Sequence, residues 1–158
     1  MKQSEAFFMK AILPGLLTLS LMPSTASAAQ LPDGTVIPVR LMHVINSEES
    51  RTGDPLVFVV TRDIVAGDEV LIARDTRVLG VVVAARRVRW GFFHHDPKLE
   101  FRFNQTRSRN GQVILLRASP FRRKTDRVVL DWQGRHHDLR WAAETDTFEA
   151  YVDGTYEV

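Results

Sequence analysis

Apolar residues in this chain fall into short runs separated by polar breaks, and nowhere does an i, i+3, i+4, i+7 stripe persist. Between Gly67 and Ala85 two such runs stand close together: Val70-Leu71-Ile72-Ala73 and Val78-Leu79-Gly80-Val81-Val82-Val83. Arg74-Asp75-Thr76-Arg77 separates them. Val and Ile are stiff at χ1 and suit a pleated surface. The runs therefore read as a pair of strands at the middle of a small barrel or sandwich. The second run does not alternate, which predicts burial on both faces. An Asp at either Val81 or Val82 is then expected to be severely destabilising. Gly80 marks a place where the strand bends, bulges or meets another backbone closely.

The same pattern extends in both directions. Pro32-Asp33-Gly34 is a turn signal, and Val36 to Met42 follows as a strand. Pro38 cannot donate to a ladder, so that strand is expected at an edge or with a bulge. Asn46 to Asp54 is a polar loop, Leu56 to Thr61 a second strand, and Ala66-Gly67-Asp68 a turn. Leu99 to Phe103 alternates, as a half-buried strand does. Asn110-Gly111 signals a hairpin into Val113-Ile114-Leu115-Leu116. Val128 to Leu130 is a short strand. Thr147 to Val158 reads as strand, turn and strand stub. Arg135 to Thr145 is the one stretch with a short-helix pattern. The fold class expected is mainly β: a small barrel or sandwich of short antiparallel strands.

The N-terminus stands apart from this pattern. Ala11 to Met22 is largely apolar, follows Lys2 and Lys10, and leads to Ala26-Ser27-Ala28. That is the layout of a cleaved signal peptide, residues 1–28, with cleavage before Ala29. It leaves 130 residues, 29–158, as a single β-rich domain. Export makes the periplasm or the exterior the expected compartment. There is no cysteine, so the core must stabilise the fold without disulfides, and no thiolate is available for catalysis or zinc. No later stretch is long and apolar enough for a transmembrane helix in the mature chain.

Charge is small in total and uneven in placement. Arg86 to Arg127 holds twelve Lys or Arg against three Asp or Glu, a net charge of +9. The flanks are acidic, at −3 for residues 29–85 and −5 for residues 128–158. Such a centre either pairs with its own flanks or presents a face to a polyanion.

Within the basic centre, arginines interleave with aromatics: Arg86, Arg87, Arg89, Trp90, Phe92, Phe93, Phe101 and Arg102, with Arg122-Arg123-Lys124 further on. Trp, Phe and Arg favour interface hot spots, so Arg86 to Pro97, with Arg102, Arg122 and Arg123, is the expected binding surface. Export disfavours nucleic acid as the partner. An envelope protein, or an anionic glycan or lipid surface, fits better. The competing reading has Trp90, Phe92 and Phe93 capping the open end of a barrel.

A repeated word supplies the alternative chemistry. Trp90-Gly91-Phe92-Phe93-His94-His95-Asp96 and Trp132-Gln133-Gly134-Arg135-His136-His137-Asp138 share Trp-x-x-x-His-His-Asp. If the two segments met, His94, His95, Asp96, His136, His137 and Asp138 could hold zinc or copper. The spacing matches no known ligand signature. Otherwise no cofactor is expected. No Gly-x-Ser-x-Gly elbow and no Gly-rich phosphate loop occurs, so the chain is not expected to be an enzyme.

Several of these words together resemble a group of small exported bacterial β-domain proteins. They are Leu31-Pro32-Asp33-Gly34-Thr35 ahead of a strand, Gly53-Asp54-Pro55 leading into Phe58-Val59-Val60, Val70-Leu71-Ile72, Gly80, and the closing Phe148 to Gly154. The resemblance covers residues 31–117 and 147–158. Ala73-Arg74-Asp75 departs from it where the group carries Pro and Gly. The same run, with Asn46-Ser47, is distantly similar to the C-terminal β-barrel of the periplasmic scaffold of type IV secretion and conjugation channels. The resemblance implies a binding or structural envelope module of Gram-negative bacteria and carries over no catalytic residue.

Overall fold

The structure, a computed structural model, describes residues 28–89, 95–119, 127–131, 140–141 and 147–158. The elements are β1 (Gln30–Leu31), β2 (Val36–Leu41), β3 (Ile45–Asn46), β4 (Pro55–Val60), β5 (Ile64–Ala66), β6 (Glu69–Ile72) and β7 (Arg77–Arg86). They continue with β8 (Lys98–Arg107), β9 (Val113–Arg117), β10 (Val128–Asp131), β11 (Arg140–Trp141), β12 (Thr147–Val152) and β13 (Tyr156–Glu157). Among the described residues there is no helix.

Six strands close into an antiparallel barrel. Going round it, the order is β2, β4, β7, β8, β9 and β12, and β12 returns to pair with β2. Apart from the β12–β2 closure, the barrel strands follow one another round the wall in chain order. Closure leaves no edge on these strands, which suits a core that has no disulfide to help it. Alternate side chains point inwards: Ile37, Val39 and Leu41 from β2; Leu56, Phe58 and Val60 from β4; Val78 and Val82 from β7. Phe58, Phe101, Phe103 and Phe148 meet edge-on or tilted at ring-centroid distances of 5.1 to 6.0 Å, filling the middle of the barrel.

Gly80 sits at the tightest point of the wall. A Cβ there would lie 2.7 Å from the Arg102 carbonyl oxygen and 3.0 Å from the Phe58 ring. The β7–β8 register shifts between Leu79 and Gly80, so Asn104 is the extra residue of a bulge. Both halves of the sequence expectation for Gly80, bulge and close approach, hold.

Three expectations need correction. The runs Val70–Ala73 and Val78–Val83 are not paired with each other: β6 forms a hairpin with β5 around Gly67, while β7 lies between β4 and β8. The four residues between them are a turn in which Asp75, at φ 64°, donates its N–H to the Val60 carbonyl. That turn aims β7 at β4. Second, the run Val78–Val83 is not buried on both faces. Val82 is 1% exposed, but Leu79 is 42% exposed and Val81 and Val83 are half-buried. A barrel filled by its own side chains has one dry face only. Third, Pro38 is not on an edge strand, since β2 has β4 and β12 on its two sides. The Pro38 carbonyl accepts from Thr61, just past the last β2–β4 register pair, so its missing N–H faces the end of that ladder.

The turn signals are borne out. Pro32-Asp33-Gly34 and Asn110-Gly111 form turns with Gly34 at φ 76° and Gly111 at φ 90°, and the second links β8 to β9. Of the expected short helix over 135–145, the described part, Arg140–Trp141, is a strand paired with β3.

Candidate functional site

β7 and β8 are longer than the barrel needs. Past Val82 the β4–β7 ladder ends, where Gly53 and Asp54 exchange backbone hydrogen bonds with Val82. Residues 84–86 continue beside residues 98–100, and β10 pairs along the other side of β8. This three-stranded arm carries the described part of the basic segment.

Arg86, Arg87 and Arg89 are exposed on it. Arg86 Nε donates to the Asp96 carbonyl at 2.9 Å, and one Arg87 terminal nitrogen donates to the Glu48 carbonyl at 3.0 Å. Arg89 and His95 form a backbone bridge. Arg86 stands opposite Lys98 across the ladder. The guanidinium groups of Arg86 and Arg87 are thus oriented by main-chain oxygens, which are dipoles and not counter-charges.

Two cations on the arm share one carboxylate. Glu100, on β8, is 8% exposed, and it receives Lys98 Nζ and, at 3.4 Å, Arg127. Hydrogen bonding from Lys98 leads in holding the Glu100 carboxyl below the usual carboxylate range, against the opposing effect of burial; the charges of Lys98 and Arg127 add to it. Arg102 faces outwards on the same strand and is exposed. It stands opposite Val81 on the barrel wall, closer to the barrel's middle than to Arg86.

Phe101 is not on the outer face of the basic segment. It is fully buried and touches Phe58, Phe103 and Phe148. Strand alternation explains this, since Glu100 and Arg102 take the outer face and leave Phe101 the inner one. Trp90, Phe92, Phe93, Arg122 and Arg123 lie outside the described residues. So do His94, His136, His137 and Asp138; His95 and Asp96 are described and exposed. Among the described residues no group of three or more His, Cys, Asp or Glu is placed to share a metal ion.

Sequence reasoning missed a second charged centre. Arg117, at the end of β9, is 4% exposed. It makes a two-pronged contact with Asp33 at 2.8 and 3.0 Å, reaches Asp153 at 2.5 Å, and donates Nε to the Ser119 carbonyl at 3.0 Å. Asp33 also accepts from Gly154 N–H at 2.8 Å. The Asp33 carboxylate leads in raising the Arg117 pKa, so the guanidinium stays charged although buried. The cluster joins the opening turn, β9 and the turn after β12. Beside it β1 pairs with β13, and Val158 N–H reaches the Ala29 carbonyl at 2.8 Å. The stretches before β2 and after β12 are thereby clasped together. The signal was faint: both aspartates sit in Asp-Gly turns, but nothing local ties them to Arg117.

Among the described residues no helix is long and apolar enough to cross a membrane. No family model matches the chain. No curated protein matches it. Among solved structures it is distantly similar to ComB10 of the Com type IV secretion system of Helicobacter pylori, at 20% identity and a TM-score of 0.37. The match covers 56% of this chain and 43% of that one, so the chain spans less than half the neighbour's length. A likeness this distant assigns no activity here.

Proposed function

We propose that the protein is an exported, non-catalytic module of the bacterial envelope that binds an acidic partner through its basic-aromatic segment. The observation that carries this reading is the exposure of Arg86, Arg87 and Arg89 together on the arm, the first two held by main-chain oxygens. An arginine so held keeps its charge available for long-range attraction. Trp90, Phe92 and Phe93 follow directly in sequence and supply the short-range anchor. The partner is an envelope protein surface, or an anionic glycan or lipid surface, and no metal or cofactor takes part.

The test is capture from an envelope extract, followed by binding kinetics with the captured partner. Changing Arg86, Arg87 and Arg89 together to Ser should mainly slow association and flatten its salt dependence. Changing Trp90 to Ala should mainly speed dissociation, with thermal stability preserved. If Trp90→Ala melts several degrees early while the folded fraction binds unchanged, the aromatics cap the barrel and the docking reading fails.

A further inference from the structure

The outer wall of β7, β8 and β9 carries an apolar patch away from the arm. Leu79, Gln105 and Leu115 are direct register partners across the three strands. Leu79 is 42% exposed, Leu115 51%, and Val113, two positions from Leu115, 38%. Directly opposed side chains on one sheet face are near neighbours, so these form one continuous surface. It is concave. Thr76, Arg77, Leu79, Gln105, Thr106 and Arg107 line a depression of about 310 Å³. Thr106 is buried and donates its hydroxyl to the Arg77 carbonyl at 2.9 Å, which fixes the floor.

Arginines bracket the patch. Arg77 and Arg107 stand at one end, Arg107 opposite Val113. Arg102 stands at the other, opposite Val81. Arg107 donates to the Gly111 carbonyl at 3.0 Å, and all three arginines are exposed. Arg102 and Arg107 are five residues apart on one strand, which spans about 16 Å in extended chain, less what the bulge takes up.

We infer that this wall is a second docking surface, for an amphipathic protein segment whose apolar side chains pack on Leu79 and Leu115 and enter the recess beside Leu79, while acidic residues on either side meet Arg77, Arg107 and Arg102. Charge complementarity selects the occupant. A second copy of this chain, paired about the same patch, would bring its arginines against these. A lipid surface calls for apolar side chains that stand clear of their neighbours, whereas Leu79 lies at the rim of a recess also lined by Arg77 and Arg107. An acidic, amphipathic segment satisfies both the recess and the charges.

The probe is a labelled nine-residue peptide with two leucines at its centre and two glutamates at each end, titrated into the intact protein. Saturable binding is expected, at least tenfold weaker for a twin peptide with lysine in place of glutamate. Leu79→Ser with Leu115→Ser should weaken binding at least tenfold while the melting temperature holds, because both side chains are exposed. Arg77→Gln with Arg107→Gln should weaken it and flatten its salt dependence. Arg86, Arg87 and Arg89 changed to Ser should leave it unchanged, which separates this surface from the arm. The inference is overturned by absence of binding, or by equal affinity for the two peptides. It is likewise overturned if the leucine pair proves irrelevant, if anionic vesicles replace the peptide with the same dependence on those leucines, or if sedimentation shows a dimer that the leucine substitutions dissolve.

Discussion

Arg117 and Arg86 are the same residue type at the ends of neighbouring parts of one sheet, and they do opposite work. In the closed barrel Arg117 is buried, and two aspartates and a main-chain carbonyl surround it. On the arm Arg86 is exposed and leans on a carbonyl oxygen. Removing Arg117 leaves carboxylates that had been gathered around a cation; removing Arg86 leaves only a hydrated surface. The contrast teaches that a basic segment has to be divided by strand position before its charges mean anything. The +9 stretch of the sequence contains a clasp, a triad of two cations around one carboxylate, and an exposed set.

The sharpest test of the barrel side is Val82→Asp. Val82 is 1% exposed and sits among buried apolar side chains, so a loss of about 4 kcal/mol or more is expected in denaturant unfolding. Val81→Asp, one position away on the outer face, should cost about 1 kcal/mol or less. Equal losses would break the inside-outside assignment of β7. Gly80→Ala comes next, at about 3 kcal/mol, because the new Cβ meets a main-chain oxygen that cannot rotate away. A melting temperature like the parent's would show that the wall can widen at the bulge.

Arg117→Met should cost about 2 to 3 kcal/mol by the same unfolding measurement, since hydrogen bonds to charged groups are lost. The carboxylates are roughly half-exposed and can rehydrate, which keeps the loss below that of a fully buried pair. Changing Arg86, Arg87 and Arg89 to Ser should move stability by less than about 0.5 kcal/mol. If the arm set costs as much as Arg117, the two regions do not differ in the way described.

Glu100 links the regions and gives a pH signature. Its folded pKa is depressed, so its contribution is present above its unfolded pKa, near about 4.3. It is lost as pH falls through the folded value. Glu100→Gln should therefore flatten the acid limb of the stability curve and change nothing of that slope above about pH 6. The smallest expected effect concerns metal. Zinc or copper should leave the melting temperature unchanged, and a rise that grows with metal concentration and vanishes when His94, His95, His136 and His137 become Ala would revive the His-His-Asp site.

Sequence by itself determined the fold class, the turns and most of the strands. These are local matters: β-branched runs favour pleated backbone, and Gly34 and Gly111 supply the positive φ that their turns require. It also marked Gly80, because a glycine inside a valine run has little local reason to be there. Pairing beyond the Asn110-Gly111 hairpin was not legible. Two adjacent apolar runs look like partners, yet β6 and β7 take different neighbours, since a four-residue turn that bonds to Val60 directs the second run elsewhere. Facing was only partly legible, because Val78–Val83 is apolar throughout while the barrel buries alternate residues. The clasp lay wholly beyond reach: Asp33 and Arg117 are 84 positions apart, and Arg117 and Asp153 are 36 apart. Only the closing of β12 against β2 and β9 brings them together. A charge acquires its role from what encloses it, and enclosure by distant strands is a property of the closed barrel alone.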